Sequence, residues 1–125
     1  MQLRSFYAAP SSILLAFDDA NTPVAVVAML VTGRVAEIRR LYVVPGQRTS
    51  GLGRRLTETL LAQARQLDLD RLVLTTLPTM VHAQALYRSL GFVETEPYVD
   101  KPTDGVLYFA LDLRWRPRQR GFLPS

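Results

Sequence analysis

The sequence has no cysteine, one histidine and one lysine, Lys101, in 125 residues. Without cysteine the chain has no disulfide, no cysteine-ligated zinc and no thiol nucleophile, so a reducing cytoplasm is the simplest location and we expect no metal. The longest apolar run, around residues 24–31, is too short to span a membrane. Histidine suits proton transfer near neutral pH, but His82 adjoins the predicted start of a helix, where we expect it to face solvent or cap the helix.

The composition favours one folded domain. Hydrophobic residues make up 48% of the chain and charged residues only 21%, a balance that argues against disorder. We predict a single domain over residues 1–125, with a core at about 13–113 and a basic tail at 114–125. The tail carries Trp115 among arginines, and the net charge of +4 permits nucleic-acid binding. A solvated tail is the preferred interpretation, so nucleic acid is not an expected partner.

The segment from Val44 to Leu56 joins a β-rich run to an amphipathic pattern through a turn rich in arginine and glycine. Glycine lets backbone N–H groups approach a ligand, a helix N-terminus attracts anions, and Arg48 and Arg54 add positive charge. The turn matches neither the phosphate loop G-x-x-x-x-G-K-[ST] nor the dinucleotide motif G-x-G-x-x-G. We interpret it as a diphosphate-binding turn; a strand-to-helix turn with solvated arginines is the alternative.

A second motif lies about thirty residues further along the chain, and it ends in the pattern A-x-x-L-Y-x-x-x-G-F, from Ala83 to Phe92. The first motif, from Val43 to Gly53, has the form V-x-P-x-x-R-x-x-G-x-G. Together the two motifs resemble the GNAT superfamily of acyl-CoA-dependent N-acyltransferases. The resemblance covers roughly residues 25–113.

Periodicity predicts an α+β fold. Strands are expected at about 13–17, 24–31, 35–44, 72–77, 92–95 and 106–113, and helices from 52 to about 68–70 and at about 79–90. The longer helix shows an apolar stripe of Leu52, Leu56, Leu60, Ala64 and Leu67. Alternation in the third strand breaks at Arg39–Arg40, which a β-bulge explains.

The resemblance adds detail to this fold. It implies a mixed, mostly antiparallel sheet with a central splayed parallel strand pair, flanked by helices. Because few residues precede the first predicted strand, we expect the family's N-terminal strand and helices to be reduced or absent. The sheet surface left uncovered favours a homodimer.

The resemblance also implies direct transfer of an acetyl group from acetyl-CoA to an amine acceptor. Tyr87 would protonate the departing thiolate, since a phenol with an ordinary pKa of about 10 can donate a proton at neutral pH; packing in the core is its alternative role. Backbone groups of the splayed strand would orient the thioester carbonyl. The implied cofactor-binding residues are Leu41, Tyr42, Val43, Arg48, Thr49, Ser50, Gly51, Leu52, Gly53 and Arg54.

Glu37 is the candidate general base, directly or through a water, because it lies on the central strand before the cofactor contacts. A strand-edge carboxylate paired with Arg39 is the alternative. Thr49 and Ser50 replace a common glycine and a common basic residue, which predicts weaker or altered cofactor binding, and Met80 stands where many members have asparagine. A catalytically degenerate acyl-CoA-binding or interaction module therefore remains the alternative to an enzyme.

Overall fold

One seven-stranded mixed sheet and two helices make up the fold in a computed structural model that describes residues 2–8, 10–48 and 51–114. The elements are β1 (Gln2–Ala8), β2 (Ser11–Phe17), β3 (Pro23–Thr32), β4 (Val35–Val43), α1 (Leu52–Gln66), β5 (Arg71–Thr76), α2 (Val81–Ser89), β6 (Val93–Thr95) and β7 (Leu107–Asp112). The strand order is β1-β2-β3-β4-β5-β7-β6. Neighbouring strands are antiparallel except for the central pair β4–β5, which is parallel. This arrangement confirms the predicted α+β class.

The N-terminal region contains a strand that the sequence did not locate. β1 pairs with β2 from Gln2 opposite Phe17 to Ala8 opposite Ser11, so the strand is present and only the helices are missing between it and β2. Ser5 stands opposite the buried Leu14, which interrupts any apolar stripe. An edge strand has one pairing partner and needs little apolar patterning, and the period-2 signal was therefore too weak to detect.

Both helices pack on the same side of the sheet, which we call the helix face. The predicted stripe of α1 is confirmed at four positions, since Leu52, Leu56, Leu60 and Ala64 are all buried. The prediction is wrong for the fifth residue, Leu67, which caps the C-terminal end of the helix and is 43% exposed. From α2, the Tyr87 ring packs against Phe92 and Phe109, which belong to the same core.

The opposite side of the sheet, which we call the open face, is lined by Phe6, Ile13, Leu30, Glu37 and Tyr108. Strand register places Phe6 beside Ile13 and Leu30 beside Glu37, and alternation points these side chains away from the helix face. Neither described helix covers it. Phe6, Ile13 and Leu30 consequently keep 49%, 46% and 41% of their surface exposed.

The β-bulge predicted in β4 is confirmed. The pairing with β3 steps from Ala28 opposite Arg39 to Val26 opposite Tyr42, so β4 has one extra residue. Arg40 absorbs the irregularity with a left-handed φ of 58°. Because successive side chains point to opposite faces, this extra residue returns Leu41 and Val43 to the helix face, where both pack against the core.

The parallel pair β4–β5 separates after a short paired section. Pairing runs from Val35 opposite Arg71 to Glu37 opposite Val73, and no further pair forms although both strands continue. Beyond Glu37, β4 therefore has an edge that β5 does not satisfy with hydrogen bonds. The confirmed splay opens a gap between the two strands, and that gap determines where the candidate site lies.

Candidate active site

A cleft with a volume of about 690 Å³ opens where β4 and β5 separate. The end of β4 forms one wall, the turn into α1 lies at its rim, and the start of α2 forms the other wall. The lining residues are Leu41, Tyr42, Val43, Arg48, Gly51, Gly53, Arg54, Thr79, Met80, Val81, His82, Ala83 and Leu86. Seven of the ten predicted cofactor-binding residues lie in this lining. Of the others, Leu52 is buried in the core, and Thr49 and Ser50 lie outside the described residues.

Two glycines shape the entry to the cleft. Gly51 precedes α1 with a left-handed φ of 77°, a conformation that glycine adopts without a steric cost. A side chain at Gly53 would begin 3.8 Å from Leu86 Cδ2 and 3.9 Å from Val43 Cγ2. Since these two atoms belong to opposite walls, the missing side chain of Gly53 keeps the cleft open between β4 and α2.

Two arginines bring positive charge to the same rim. Nε of Arg48 donates to the Val43 carbonyl at 2.9 Å, and its guanidinium carbon lies 5.7 Å from the centre of the Tyr42 ring. Arg54 donates to the Ser89 hydroxyl and lies 3.7 Å from Glu58. Both guanidinium groups are thus held by contacts within the chain beside the N-terminus of α1, where the helix dipole also favours an anion.

The wall formed by the start of α2 was missed by the sequence analysis, except that Met80 was noted as a departure from the family pattern. Nε2 of Gln84 donates to the carbonyls of Leu77 and Pro78, at 2.9 and 3.0 Å, and so fixes the turn that leads into the helix. The Thr76 hydroxyl donates to the Met80 sulfur at 3.7 Å. His82 is exposed in this wall, so it faces solvent as expected. The A-x-x-L-Y motif is the sequence feature that could have indicated this wall, because it marks a helix whose start lies beside the cleft.

Tyr87 lies on α2, one turn beyond the cleft residue Ala83. Its ring centre is 5.8 Å from that of Phe92 and 6.4 Å from that of Phe109, and only 5% of the residue is exposed. Burial raises the pKa of Tyr87 to about 12 from an ordinary 10.0. The phenol therefore stays protonated far above neutral pH, which is the form that a proton donor requires. Tyr87 belongs to the core, and it lies outside the lining of the cleft.

Glu37 is the last residue of β4 that pairs with β5, at the point where the two strands begin to separate. Nε of Arg39 donates to Oε1 of Glu37 at 2.8 Å, so the ion pair weighed as an alternative is present. The Glu37 side chain is 26% exposed. It lies on the open face and outside the lining of the cleft, so the structure separates the two predicted catalytic residues onto opposite sides of the sheet.

Among the residues that the structure describes, no group of three or more His, Cys, Asp or Glu side chains is arranged to hold a metal ion. Neither described helix combines the length and the hydropathy needed to cross a membrane.

Known proteins resemble this chain in sequence and in fold. The family model described as the acetyltransferase (GNAT) family matches residues 2–92. An uncharacterized N-acetyltransferase of Schizosaccharomyces pombe is 36% identical over 110 residues, which is 86% of this chain and 68% of that protein. An IAA acetyltransferase of Azospirillum brasilense is 35% identical over 72 residues, but this chain spans only 47% of its length.

Solved structures support the same assignment at the level of the fold. The ribosomal-protein-S18-alanine N-acetyltransferase of Escherichia coli has a TM-score of 0.74 and 24% identity, covering 88% of this chain and 74% of its own. A Bacillus subtilis acetyltransferase in complex with CoA has a TM-score of 0.69 and 20% identity, covering 85% and 79%. With the family model matching most of the sequence, the chain belongs to the acetyltransferase (GNAT) family.

Proposed function

We propose that the protein transfers an acetyl group from acetyl-CoA to a primary amine of a small molecule or a protein. The observation that carries this proposal is the cleft at the split of β4 and β5, which has arginines, glycines and a helix N-terminus at its rim and a strand with unpaired backbone groups as its wall. An extended ligand with an anionic end fits such a cleft. The fold neighbour from Bacillus subtilis, which was solved with CoA, agrees with this choice.

The rim of the cleft suits a diphosphate. Arg48 and Arg54 supply positive charge, and the N-terminus of α1 supplies backbone N–H groups that are free of helical hydrogen bonds. Gly53 leaves room between Val43 and Leu86 for the narrow arm of the cofactor. Backbone groups of β4 beyond Glu37 are then available to hold that arm and the thioester carbonyl by hydrogen bonds.

Acetyl-CoA supplies a thioester whose acetyl carbon is open to attack by an uncharged amine. In the proposed reaction Glu37 accepts the proton that the ammonium must lose, directly or through a water. A C–N bond forms as the C–S bond breaks, the new amide nitrogen loses its remaining extra proton to solvent, and the Tyr87 phenol donates its proton to the departing sulfur. The products are an amide and the free thiol of CoA, and Tyr87 regains its proton from solvent.

The acceptor is specified only as an amine. One relative is named as an IAA acetyltransferase, and one fold neighbour is named for an alanine of a ribosomal protein. The two names differ and do not identify one acceptor for this chain. A panel of small amines and short peptides is therefore the appropriate first assay.

The proposal is tested by measuring thiol release from acetyl-CoA with that panel, beside calorimetric titration with CoA. Gly53→Val should abolish CoA binding in a folded protein, because the branched side chain fills the space between the walls. Ala62→Val is the matched control, since it adds the same side chain on the exposed surface of α1. Binding without turnover across the panel would support a degenerate acyl-CoA-binding module, and unchanged CoA affinity in Gly53→Val would refute the cleft as the cofactor site.

The assignment of Glu37 as the base has its own test. A general base acts only in its deprotonated form, so the pH profile of turnover should have a rising limb, and Glu37→Gln should flatten it. Arg39→Gln is a useful companion variant because it leaves the carboxylate in place without its ion pair. A pH profile that is unaltered in Glu37→Gln would assign the base to water or to another group.

Self-association and location remain predictions. The exposure of Phe6, Ile13 and Leu30 on the open face supports a homodimer. The basic tail beyond Arg114 lies outside the described residues. Light scattering on the full chain and on a chain ending at Arg114 measures this directly. A monomer in both cases would remove the dimer from the proposal, and a cytoplasmic location is proposed only from the cysteine-free composition.

A further inference from the structure

The two ends of the cleft differ in chemistry. The rim carries Arg48 and Arg54, and Arg54 also donates to the hydroxyl of Ser89, the last residue of α2. Met80 immediately precedes α2, at the opposite end of that helix. Since a helix rises about 1.5 Å per residue, Met80 lies about 13 Å from Ser89 along the helix axis. A ligand whose anionic end is held at the rim therefore extends towards Met80.

Met80 is held beside the gap between β4 and β5. The Thr76 hydroxyl donates to the Met80 sulfur at 3.7 Å, and Thr76 is the last residue of β5. Earlier in the same strand, Val73 pairs with Glu37, and the two strands pair no further. Met80 consequently lies at the separated part of β5, across the gap from the part of β4 that follows Glu37. In the proposed reaction the thioester lies at this gap.

Apolar surface is exposed at this end of the cleft. Met80 and Val81 keep 47% and 60% of their surface exposed, although both belong to the lining. Thr79 and His82, the polar residues of the same wall, are exposed to solvent as well. The other apolar residues of the lining are Leu41, Val43, Ala83 and Leu86. A bound apolar group would remove such surface from water, which is favourable.

Methionine suits an apolar ligand of variable length, because its side chain is unbranched and can follow the shape of what it contacts. The turn that carries Met80 is nevertheless fixed, since Nε2 of Gln84 donates to the carbonyls of Leu77 and Pro78. The backbone is thus held while the side chain can adapt. An acetyl group has a single methyl beyond its carbonyl, so it covers little of the surface that Met80 and Val81 expose.

We propose that the cleft also accepts acyl-CoA donors with linear acyl chains longer than acetyl, and that Met80 and Val81 bind the added methylene groups. The inference rests on the proposed acyl transfer and adds a donor class to it. The bonds that change are the same: a C–N bond forms, the C–S bond breaks, and the sulfur leaves as the thiol of CoA. Each methylene that is fully buried should raise the affinity about fourfold.

The test is calorimetric titration of wild type with acetyl-CoA, propionyl-CoA and butyryl-CoA. The amine is left out, so that binding is measured without transfer. Affinity should rise along the series, by about tenfold from acetyl-CoA to butyryl-CoA. Equal affinities for the three thioesters would refute the inference.

Met80→Gln shows whether the gain arises in the cleft. Glutamine has nearly the length of methionine and can still accept from the Thr76 hydroxyl, but its amide is a poor partner for methylene groups. Affinity for acetyl-CoA should change little, whereas most of the gain from acetyl-CoA to butyryl-CoA should be lost. Ile13→Gln is the matched control, because Ile13 is 46% exposed on the open face. Loss of the gain in Ile13→Gln but not in Met80→Gln would locate the acyl chain on the open face and overturn the inference.

Thiol release in the presence of an acceptor amine separates this inference from the proposed function. The ratio of kcat/KM for butyryl-CoA to that for acetyl-CoA should be lower in Met80→Gln than in wild type. Affinity that rises with chain length, without thiol release by wild type, would refute the transfer and leave the apolar subsite in place. Thiol release from acetyl-CoA together with equal affinities along the series would refute the subsite and leave the transfer in place.

Discussion

On the helix face, α1 and α2 bury a continuous core in which Leu56, Leu60 and Phe109 have no exposed surface. On the open face, Ile13 and Leu30 remain more than two-fifths exposed, and the ionisable side chains of Glu37 and Arg39 form an ion pair there. The first face is stabilised by packing, and both sequence motifs lie along it. The second face carries Glu37, the residue that we propose as the general base.

Tyr87→Phe is the strongest test of this division, because Tyr87 packs on the helix face but is assigned to the reaction. The ring contacts with Phe92 and Phe109 are retained, so CoA affinity should not change. Turnover should fall by about 10²–10⁴-fold, the usual loss when a general acid is removed. Steady-state thiol release and CoA calorimetry on the same preparation measure both quantities, and wild-type turnover would leave Tyr87 with a packing role alone.

The stability of the two faces can be compared with a single kind of substitution. Leu56→Ala empties a fully buried position and should lower the free energy of unfolding by about 2–5 kcal/mol. Leu30→Ala on the open face should cost less than about 1 kcal/mol, because the side chain is already 41% exposed. Urea denaturation followed by circular dichroism gives both values. A large loss at Leu30 would mean that the open face is covered in solution, as a homodimer would cover it.

The same two faces explain how far the sequence could predict the structure. The helix face was predictable because Leu52, Leu56 and Leu60 recur with helical spacing and a glycine motif marks the start of α1. The bulge was also predictable, since a break in alternation at Arg39–Arg40 is local information. β1 was not located, because an edge strand needs no apolar stripe to pair.

For the candidate site, the sequence predicted the glycines and arginines at the rim of the cleft but not the wall that the start of α2 forms. Thr79, Val81 and His82 share no charge or spacing that indicates a ligand, and they line the cleft only because the turn held by Gln84 directs α2 there. Such long-range proximity leaves no periodic pattern.

Alkaline pH should weaken the protein through its buried phenols. Burial raises the pKa of Tyr87 to about 12 in the folded chain, so this stabilisation is complete below pH 10 and is lost as pH rises from about 10 to 12. At about pH 11 the loss amounts to about 1 kcal/mol relative to neutral pH. Urea midpoints at about pH 8 and pH 11 should therefore fall further for wild type than for Tyr87→Phe, and an equal fall would mean that the phenol ionises freely.

The smallest expected effect concerns Arg40, the residue at which the bulge changes the face to which the following side chains of β4 point. Its left-handed φ of 58° is strained for a residue with a Cβ, and glycine relieves the strain. Arg40→Gly should therefore be more stable than Arg40→Ala by up to about 1 kcal/mol. At an ordinary strand position the order is the reverse, because glycine has the larger conformational entropy to lose. If Arg40→Ala proves the more stable variant, the bulge lies elsewhere in β4, and the return of Leu41 and Val43 to the helix face needs another cause.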